Sequence, residues 1–425
     1  MSSDHPVQAL PDSAIDDRLS PTSTEMGQKG AGRRRRGPLA VLTFSHGAIH
    51  AYTAALPLTY PAVVAEFHVS YAVLGVWLGA AGLAGGLLQG LAGAFRRVSA
   101  RLLLTVQDLL TAAAAVLGAL APGFIVYGVA RISGSVVSWP QHPVGAAVLA
   151  ESYPERRSTA LSWHTVGGSL GTLAVPLAAG AVIARWGWRP ALALSAVPLL
   201  VAAGLVAVRL RTVAPPSSQQ ESPGLGLRRL LFSRRTLVVL VVSTVAAGGR
   251  GLGVLNSYVP AYLQSGLHIP PFTVGAIFTV MLAGSAVGPV LAGRLADRWG
   301  RLRITLISYL LAAAAIADFG LVGAGVPGLV VLAALVGILA YAESPLLQAL
   351  FADAIEGSPQ QAAFGVYFAI TYGIGSLWVT LIGWVIDSAG FRTAFLVMAA
   401  SFVLAAAILP AARERPSGRG RRPGS

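Results

Sequence analysis

The sequence contains no cysteine and has little charge for its length. Without cysteine, disulfide bonds, zinc–thiolate sites and cysteine nucleophiles are excluded. Charged residues make up 11% of the 425 residues and hydrophobic residues 55%, whereas an average soluble domain carries about 25% charge. So few charges cannot cover the surface of a soluble protein of this size. Soluble enzymes and disordered chains are therefore poor interpretations, and a protein that crosses the membrane several times is favoured.

What the sequence does contain is a series of long apolar segments. A helix needs about 20 mostly apolar residues to cross a bilayer core, and we count twelve such segments, numbered here as spans 1–12. They are residues 38–62, 71–95, 101–121, 124–150, 158–184, 189–209, 236–265, 271–293, 302–324, 327–352, 361–386 and 390–411. The alternating polarity of outer-membrane strands is not found. The sequence predicts an all-α polytopic membrane protein with twelve transmembrane helices in two six-helix halves.

The connections between spans divide the chain. The longest, 210–235, is predicted to be a cytoplasmic central loop between an N-terminal six-helix bundle at 38–209 and a C-terminal one at 236–411. Residues 1–37 are polar, end in four consecutive arginines and have nothing to bury, so we expect a disordered cytoplasmic tail. Residues 412–425 form a short basic tail.

Basic residues are distributed unequally between the two sides of the membrane. With twelve spans both termini share one side, and 26 of the 31 Lys and Arg residues lie there, against three on the opposite side and two within spans. The positive-inside rule then predicts cytoplasmic termini. The strong bias towards Arg over Lys suggests a GC-rich bacterial genome, so the expected location is the bacterial cytoplasmic membrane. The net charge of +14 therefore indicates loops beside the anionic lipid of the inner leaflet, with no nucleic-acid partner.

The loop after span 8 carries a motif. It follows the pattern G-x-x-x-D-R-x-G-R at Gly293, Asp297, Arg298, Gly300 and Arg301. With the layout of six and six spans, it resembles the loop signature of major facilitator superfamily transporters. The resemblance implies that this loop gates transport and that spans 1, 4, 7 and 10 line a central cavity. In the matching first-half loop, Ala94 replaces the aspartate, which weakens the gating interpretation there.

Each residue of this loop has an expected physical role. Gly293 is expected to let two helices approach closely, and Gly300 to permit a tight turn. Asp297 is expected to accept a hydrogen bond from an arginine or from a helix N-terminus.

Span 5 contains a second pattern. Gly171, Pro176 and Gly180 resemble the superfamily's antiporter motif, although Val175 and Ala179 replace two of its glycines. The resemblance implies export, while a proline-kinked packing helix explains the same residues. A narrower resemblance, to the fosmidomycin-resistance branch of efflux pumps, rests on first-half stretches at 45–50, 56–61, 141–145, 154–157 and 164–168.

Ionisable residues within spans are the main functional candidates, because a charge at mid-bilayer costs at least about 2.5–3.5 kcal/mol. Most fall on the expected cavity spans, and the exceptions Asp108, His164 and Asp318 lie near span ends, where they could reach water or headgroups. The candidates for proton coupling or charge pairing are Glu343, Arg250, Arg131, His50 and Asp108. The substrate-cavity candidates are His46, His50, Tyr52, Arg131, Trp139, His142, Arg250, Tyr258, Glu343, Tyr367 and Tyr372.

For two sets of these candidates, the sequence allows more than one role. Glu343 could couple protons, because burial favours the neutral carboxyl form, or it could be a permanent partner of Arg250. His46 and His50, at positions i and i+4, share one helix face, which suits proton relay, metal binding or packing. Two ligands make an incomplete metal site, so we predict no metal and no cofactor.

Together these observations predict a secondary active transporter and not an enzyme. The favoured interpretation is proton-coupled efflux, by antiport and alternating access, of a small organic compound or drug, for which two in-span arginines against one glutamate suggest an anion. The alternative is an importer or uniporter of a metabolite anion, and a third option is a non-transporting membrane sensor or enzyme. No phosphate-binding G-x-x-x-x-G-K-[ST] loop is present to use ATP. The expected partners are a small-molecule substrate, protons and the lipid bilayer, and the expected state is a monomer.

Overall fold

The structure is a computed structural model that describes residues 23–89, 98–210, 233–321, 323, 325–355 and 360–413. Side chains are described from residue 37 onwards within these ranges, apart from residues 89 and 360–362. Within this part of the chain the regular structure is entirely helical.

The helices follow one another with short connections. Those of the first half are α1 (Ser23–Phe67), α2 (Tyr71–Gln89), α3 (Ala100–Ala119), α4 (Phe124–Val137), α5 (Gln141–Ser152), α6 (Arg157–Trp186), α7 (Trp188–Leu194) and α8 (Ala196–Arg209). Those of the second half are α9 (Arg234–Ala246), α10 (Asn256–Ala261), α11 (Pro271–Trp299), α12 (Arg301–Leu321), α13 (Val326–Ala340), α14 (Glu343–Ala354), α15 (Gln360–Phe368) and α16 (Leu377–Ile408). Single π-helical turns lie at Gly251–Leu255, Tyr262–Gly266 and Ala369–Gly373.

The prediction of twelve spans is confirmed. Ten helical segments of the described chain are long and apolar enough to cross a membrane. The last of them, Ala363–Ala412, has 50 residues and holds spans 11 and 12, which part at Gly390, where φ is +82°. Span 4 is absent from the ten because it is broken into the short helices α4 and α5. Pro140 lies at this break and cannot donate a backbone hydrogen bond.

The predicted tails and central loop lie largely outside the described residues. This holds for residues 1–22, for 211–232 within the central loop, and for 414–425, so the predicted domain boundaries stay predictions. Helix α1 begins at Ser23, inside the segment for which the sequence predicts disorder. The arginine run there is compatible with a helix, because arginine is a good helix former.

Glycines bring helices of the same half into close contact. In the first half, a Cβ atom on Gly171 of α6 would lie 2.0 Å from the carbonyl oxygen of Gly47 in α1. In the second half, a Cβ atom on Gly337 of α13 would lie 2.0 Å from the carbonyl oxygen of Met281 in α11. Without a hydrophobic driving force between helices in lipid, such close backbone packing supplies much of the association energy.

The two halves meet most closely on one side of the membrane. We call this side the far face, and the opposite side, where Arg101, Arg234 and Arg301 lie, the basic face. At the far face, Asp387 in the second half accepts hydrogen bonds from the backbone N–H groups of Tyr71 (3.0 Å) and Ala72 (2.6 Å), at the start of α2. A carboxylate at a helix N-terminus is stabilising.

Towards the basic face the central helices pack within their own halves. Helix α5 packs against α1, α3 and α6, and α14 packs against α9, α11 and α12. The conformation is therefore closed at the far face.

Asp387→Ala is expected to open this closure, because it removes two charge-assisted hydrogen bonds between the halves. A loss of about 1–2 kcal/mol changes the closed-to-open ratio by a factor of about 5–30. Since the chain lacks cysteine, a Ser257→Cys probe in the central cavity can report access to a membrane-impermeant maleimide added at the far face. Labelling should accelerate by this factor.

The control is Glu66→Ala, which removes a carboxylate from the same face. Glu66 pairs with Arg189 at 2.6 Å within the first half, so labelling should not change. Equal labelling of all three proteins would show that Asp387 does not hold the halves together.

Candidate functional site

A cavity of about 620 Å³ lies between the two halves near the middle of the bundle. Spans 1, 2, 4, 7 and 11 supply its walls. The described residues around it include arginine, histidine, hydroxyl and aromatic side chains but no aspartate or glutamate. Six of the eleven predicted cavity residues line it: His50, Arg131, Trp139, His142, Arg250 and Tyr372.

Helix breaks position this site. Span 4 is interrupted at Ser138–Pro140, and span 7 between α9 and α10, where Gly253 has φ +127°. Ser138, Trp139, Leu252 and Gly253 all line the cavity. Irregular backbone at membrane depth is tolerated where it lines a cavity. The position of both breaks at the cavity wall is therefore consistent with their irregular backbone.

The second-half wall contains a buried ion pair. Arg250 donates from Nε to one carboxylate oxygen of Glu343 (3.0 Å) and from Nη2 to the other (2.8 Å), and the two residues are 3% and 1% exposed. Two further guanidinium N–H groups donate to the carbonyl oxygens of Thr371 (3.0 Å) and Ser243 (2.7 Å). Of the two alternatives for Glu343, pairing with Arg250 is the one seen in this conformation.

Span 10 differs from the expectation. It contributes no described residue to the cavity wall, because Arg250 and the Tyr372 ring, 5.2 Å from the guanidinium carbon, line the wall on that side. Glu343 therefore lies behind Arg250 and touches the cavity only through it.

Arg131, in the first-half wall, has a different environment. Its hydrogen bond runs from Nε to the hydroxyl of Tyr60 at 3.5 Å, and no carboxylate pairs with it among the described residues. Arg131 is thus a positive charge beside the cavity that is not neutralised by a protein carboxylate of the described chain.

Asp108 belongs to a buried polar network that the sequence did not reveal. Its carboxylate accepts hydrogen bonds from the Ser45 hydroxyl and the Gln107 amide, both at 2.9 Å, and Gln107 also donates to Gln141 at 2.7 Å. Asp108 is fully buried. The expectation that Asp108 reaches water is wrong, since this face of α3 packs against α1 and α5. The same holds for His164, whereas Asp318 is exposed.

The histidines of spans 1, 4 and 5 come together. His46 and His50 have ring centroids 4.6 Å apart, His142 lies 5.1 Å from His46, and His164 stacks on His46 at 4.1 Å. The sequence indicated the first two as a pair on one helix face. The addition of His142 and His164 depends on the tertiary packing of α5 and α6.

Four of the remaining cavity candidates, His46 and three tyrosines, do not line the cavity. Tyr52 is 2% exposed, Tyr258 donates to the carbonyl oxygen of Val379 (2.6 Å), and the hydroxyl of Tyr367 lies 3.3 Å from that of Ser243. These tyrosines support the wall from behind.

The loop motif forms a turn on the basic face. Gly300 ends α11 with φ +92°, so its predicted role as a turn glycine is confirmed. Arg301 pairs with Asp353 of α14, while Asp297 has no hydrogen bond within the described chain. The expectation for Gly293 is wrong, because a Cβ atom there would meet nothing within 4 Å. The first-half loop, including Ala94, lies outside the described residues.

The span 5 motif lies at two helix contacts. Gly171 packs against α1, as described above. Pro176 and Gly180 face α11 of the other half, where a Cβ atom on Gly275 would lie 2.4 Å from the Pro176 carbonyl oxygen. Close helix packing thus accounts for all three motif residues.

Comparison with known proteins identifies relatives. A family model described as Major Facilitator Superfamily matches residues 42–266 and 239–425. A cis,cis-muconate transport protein of Acinetobacter baylyi is 27% identical over 251 residues, which cover 56% of this chain and 60% of that protein. The proline/betaine transporter of Salmonella typhimurium is 26% identical over 303 residues, 62% of this chain and 57% of that protein. The chain thus matches less than two thirds of the length of either protein.

The fold has close structural counterparts. The crystal structure of the nucleoside transporter NupG superposes with a TM-score of 0.74 at 16% identity and covers 88% of this chain and 98% of that one. None of these three proteins is named as a drug-efflux pump.

Proposed function

The chain belongs to the Major Facilitator Superfamily, and from this premise we propose that it carries a small organic anion across the bacterial cytoplasmic membrane, coupled to protons. The observation that carries the proposal is the charge of the cavity wall. Arg131 and Arg250 line it, and its described residues include no carboxylate.

The charges around the cavity do not cancel. Glu343 neutralises Arg250, whereas Arg131 has no carboxylate partner within the described chain. In a site of low dielectric constant an unpaired guanidinium strongly favours an anion. A guanidinium also matches a carboxylate or phosphonate in geometry, because it offers parallel N–H donors.

One of the relatives supports an organic anion as the substrate. The muconate transport protein is named for an organic anion, and it aligns with more than half of this chain. Export through the antiporter-like motif remains a prediction, and uptake of a metabolite anion is the alternative. With the basic face in the cytoplasm, closure at the far face corresponds to an inward-facing state of alternating access.

Proton coupling is proposed to occur at the Arg250–Glu343 pair. A substrate carboxylate that binds Arg250 competes with Glu343 for the same N–H donors. A displaced, buried carboxylate is stable only when it takes up a proton. Binding of one anion therefore favours uptake of one proton, so this step carries anion and proton together, and release of the anion restores the pair. Antiport would require the opposite coupling and stays a prediction from the span 5 motif.

Arg131→Gln is expected to reduce anion transport at least tenfold, because the cavity then lacks its unpaired positive charge. The measurement is exchange of labelled muconate by the purified full-length protein in proteoliposomes, which does not depend on transport direction. Fosmidomycin, proline betaine and xylose complete a panel of anionic, zwitterionic and neutral compounds.

The matched control is Arg185→Gln, which removes an exposed arginine at the far-face end of α6 and should leave exchange unchanged. Substrate-induced pH changes in the same vesicles test the coupling. Unimpaired anion exchange in Arg131→Gln, or transport restricted to neutral compounds, would overturn the proposal.

A further inference from the structure

Four of the seven histidines gather beside the cavity. We propose that His46, His50 and His142 form a binding site for a divalent transition-metal cation of the zinc class. The proposal goes beyond anion transport and does not depend on it. The sequence predicts no metal because it offers only two spaced ligands, and the fold adds the third.

The distances suit one shared ion. A ligand nitrogen from each of the three histidines lies within 4.8 Å of the other two, and the ring centroids are 4.6, 5.1 and 5.8 Å apart. In a tetrahedral site with zinc–nitrogen bonds of about 2.0–2.1 Å, the ring centroids lie about 5 Å apart. Small rotations of the rings are enough to bring three nitrogens onto a common ion.

Hydrogen bonds indicate which nitrogen is free in the rings of His46 and His50. Nδ1 of His46 lies 2.7 Å from the carbonyl oxygen of His164, so it must carry the proton. Thr172 uses its hydroxyl proton on Gly168 at 3.0 Å. The hydroxyl oxygen of Thr172 therefore accepts from Nδ1 of His50 at 3.2 Å.

In both rings Nε2 is left with its lone pair, which is the tautomer that a metal ligand needs. A second N–H that donates to a carbonyl or hydroxyl is the usual support of a metal-binding histidine.

The lone pair of His46 lacks a partner within the described chain. Nε2 of His46 is buried and has no hydrogen bond in the described chain. A site for an anion would direct N–H donors inward, whereas here the N–H groups of His46 and His50 point away into the protein. Facing lone pairs repel one another, and a bound cation removes that repulsion. The assigned protons therefore favour a cation over an anion.

The cluster is held in place and is open on one side. A Cβ atom on Gly168 would lie 2.8 Å from Cε1 of His46, so α6 leaves space for that ring only because the residue is glycine. His50 and His142 line the cavity, and His142 is exposed to it. Three imidazoles leave a coordination position free for water or another oxygen ligand, and imidazole prefers zinc, copper and nickel among divalent cations.

The test uses the full-length protein, purified in detergent through a tag without histidine. Cobalt(II) is titrated and followed by its visible absorption, and zinc is then added as a competitor. We expect one equivalent of cobalt with the intense bands of tetrahedral nitrogen coordination, displaced by zinc. His50→Ala and His142→Ala should weaken binding at least tenfold, and Thr172→Val, which removes only the support of His50, by about 10–100-fold.

The controls keep histidine content comparable. His68→Asn and His268→Asn remove exposed histidines outside the cluster, and asparagine tolerates their positive φ angles of 51° and 56°. Both variants should bind cobalt as the original chain does. Arg131→Gln should also bind cobalt normally, which would show that metal binding does not depend on the proposed anion site.

Absence of stoichiometric binding at millimolar cobalt would overturn the proposal. Binding that survives both His50→Ala and His142→Ala would do the same, since it would place the metal elsewhere.

Discussion

Glu343→Gln is expected to abolish transport and to destabilise the second half of the bundle. The substitution leaves the Arg250 guanidinium, 3% exposed, without its counter-charge in the interior of the bundle. Removal of one partner of a buried ion pair costs about 3–5 kcal/mol. An amide can accept only one of the two N–H donors that the carboxylate accepts, so the bidentate geometry is lost as well. Thermal unfolding in detergent and muconate exchange in proteoliposomes measure the two effects.

Two further variants separate stability from function. Arg250→Met should destabilise less than Glu343→Gln, because an unpaired buried carboxyl group can take a proton whereas an arginine cannot lose one. The double substitution Arg250→Met with Glu343→Met should unfold near the temperature of the original chain, since apolar replacement of a buried pair is often neutral or stabilising. It should still be inactive, because the proposed anion contact and proton site are both absent.

The outcome with Glu343→Gln also discriminates between two roles of the pair. Anion exchange that survives while substrate-induced proton movement is lost would assign Glu343 to coupling alone. Full stability together with full coupling would contradict both the buried ion pair and the proposed proton site.

The spans could be predicted from the sequence because the bilayer imposes a local requirement. Each helix must satisfy its own backbone and present about 20 apolar residues, and both properties can be read from a short window. The same requirement hides which face of a helix points inward, since the lipid-facing residues are as apolar as the buried ones. The sequence offers Tyr52, Tyr258 and Tyr367 as cavity candidates, yet all three lie behind the cavity wall.

The candidate site depends on breaks that the sequence does not reveal. Residues 124–150 read as one continuous span, yet the break before α5 helps to bring His142 beside His46 and His50. The sequence also predicts that Glu343 faces the cavity, yet the Arg250 side chain lies between the Glu343 carboxylate and the cavity. The positions of the His142 and Glu343 side chains both depend on contacts between segments that are distant in the sequence, which a local sequence pattern does not show.

Gly171→Ala is expected to have the largest effect of any single methyl group in the first half. Its Cβ atom would lie 2.0 Å from the Gly47 carbonyl oxygen and 2.8 Å from the Gly47 carbonyl carbon. Ordinary van der Waals contacts are about 3.5–4.0 Å, so α1 and α6 must move apart by more than 1 Å. Overpacking of a core costs about 1–3 kcal/mol or more, and here the obstacle is rigid backbone. The unfolding temperature and the yield of folded protein in detergent measure the loss.

The matched control is Gly204→Ala in α8, where an added Cβ atom would meet nothing within 4 Å. There the methyl group should stabilise the helix by roughly 0.5–1 kcal/mol, because alanine loses less backbone entropy than glycine. Opposite shifts from the same chemical change would show that packing against α1, rather than helix propensity, requires glycine at residue 171. The antiporter-like motif would then owe its first glycine to helix packing, and that residue would carry no information on transport direction. Equal behaviour of the two variants would mean that α1 and α6 do not approach as closely as described.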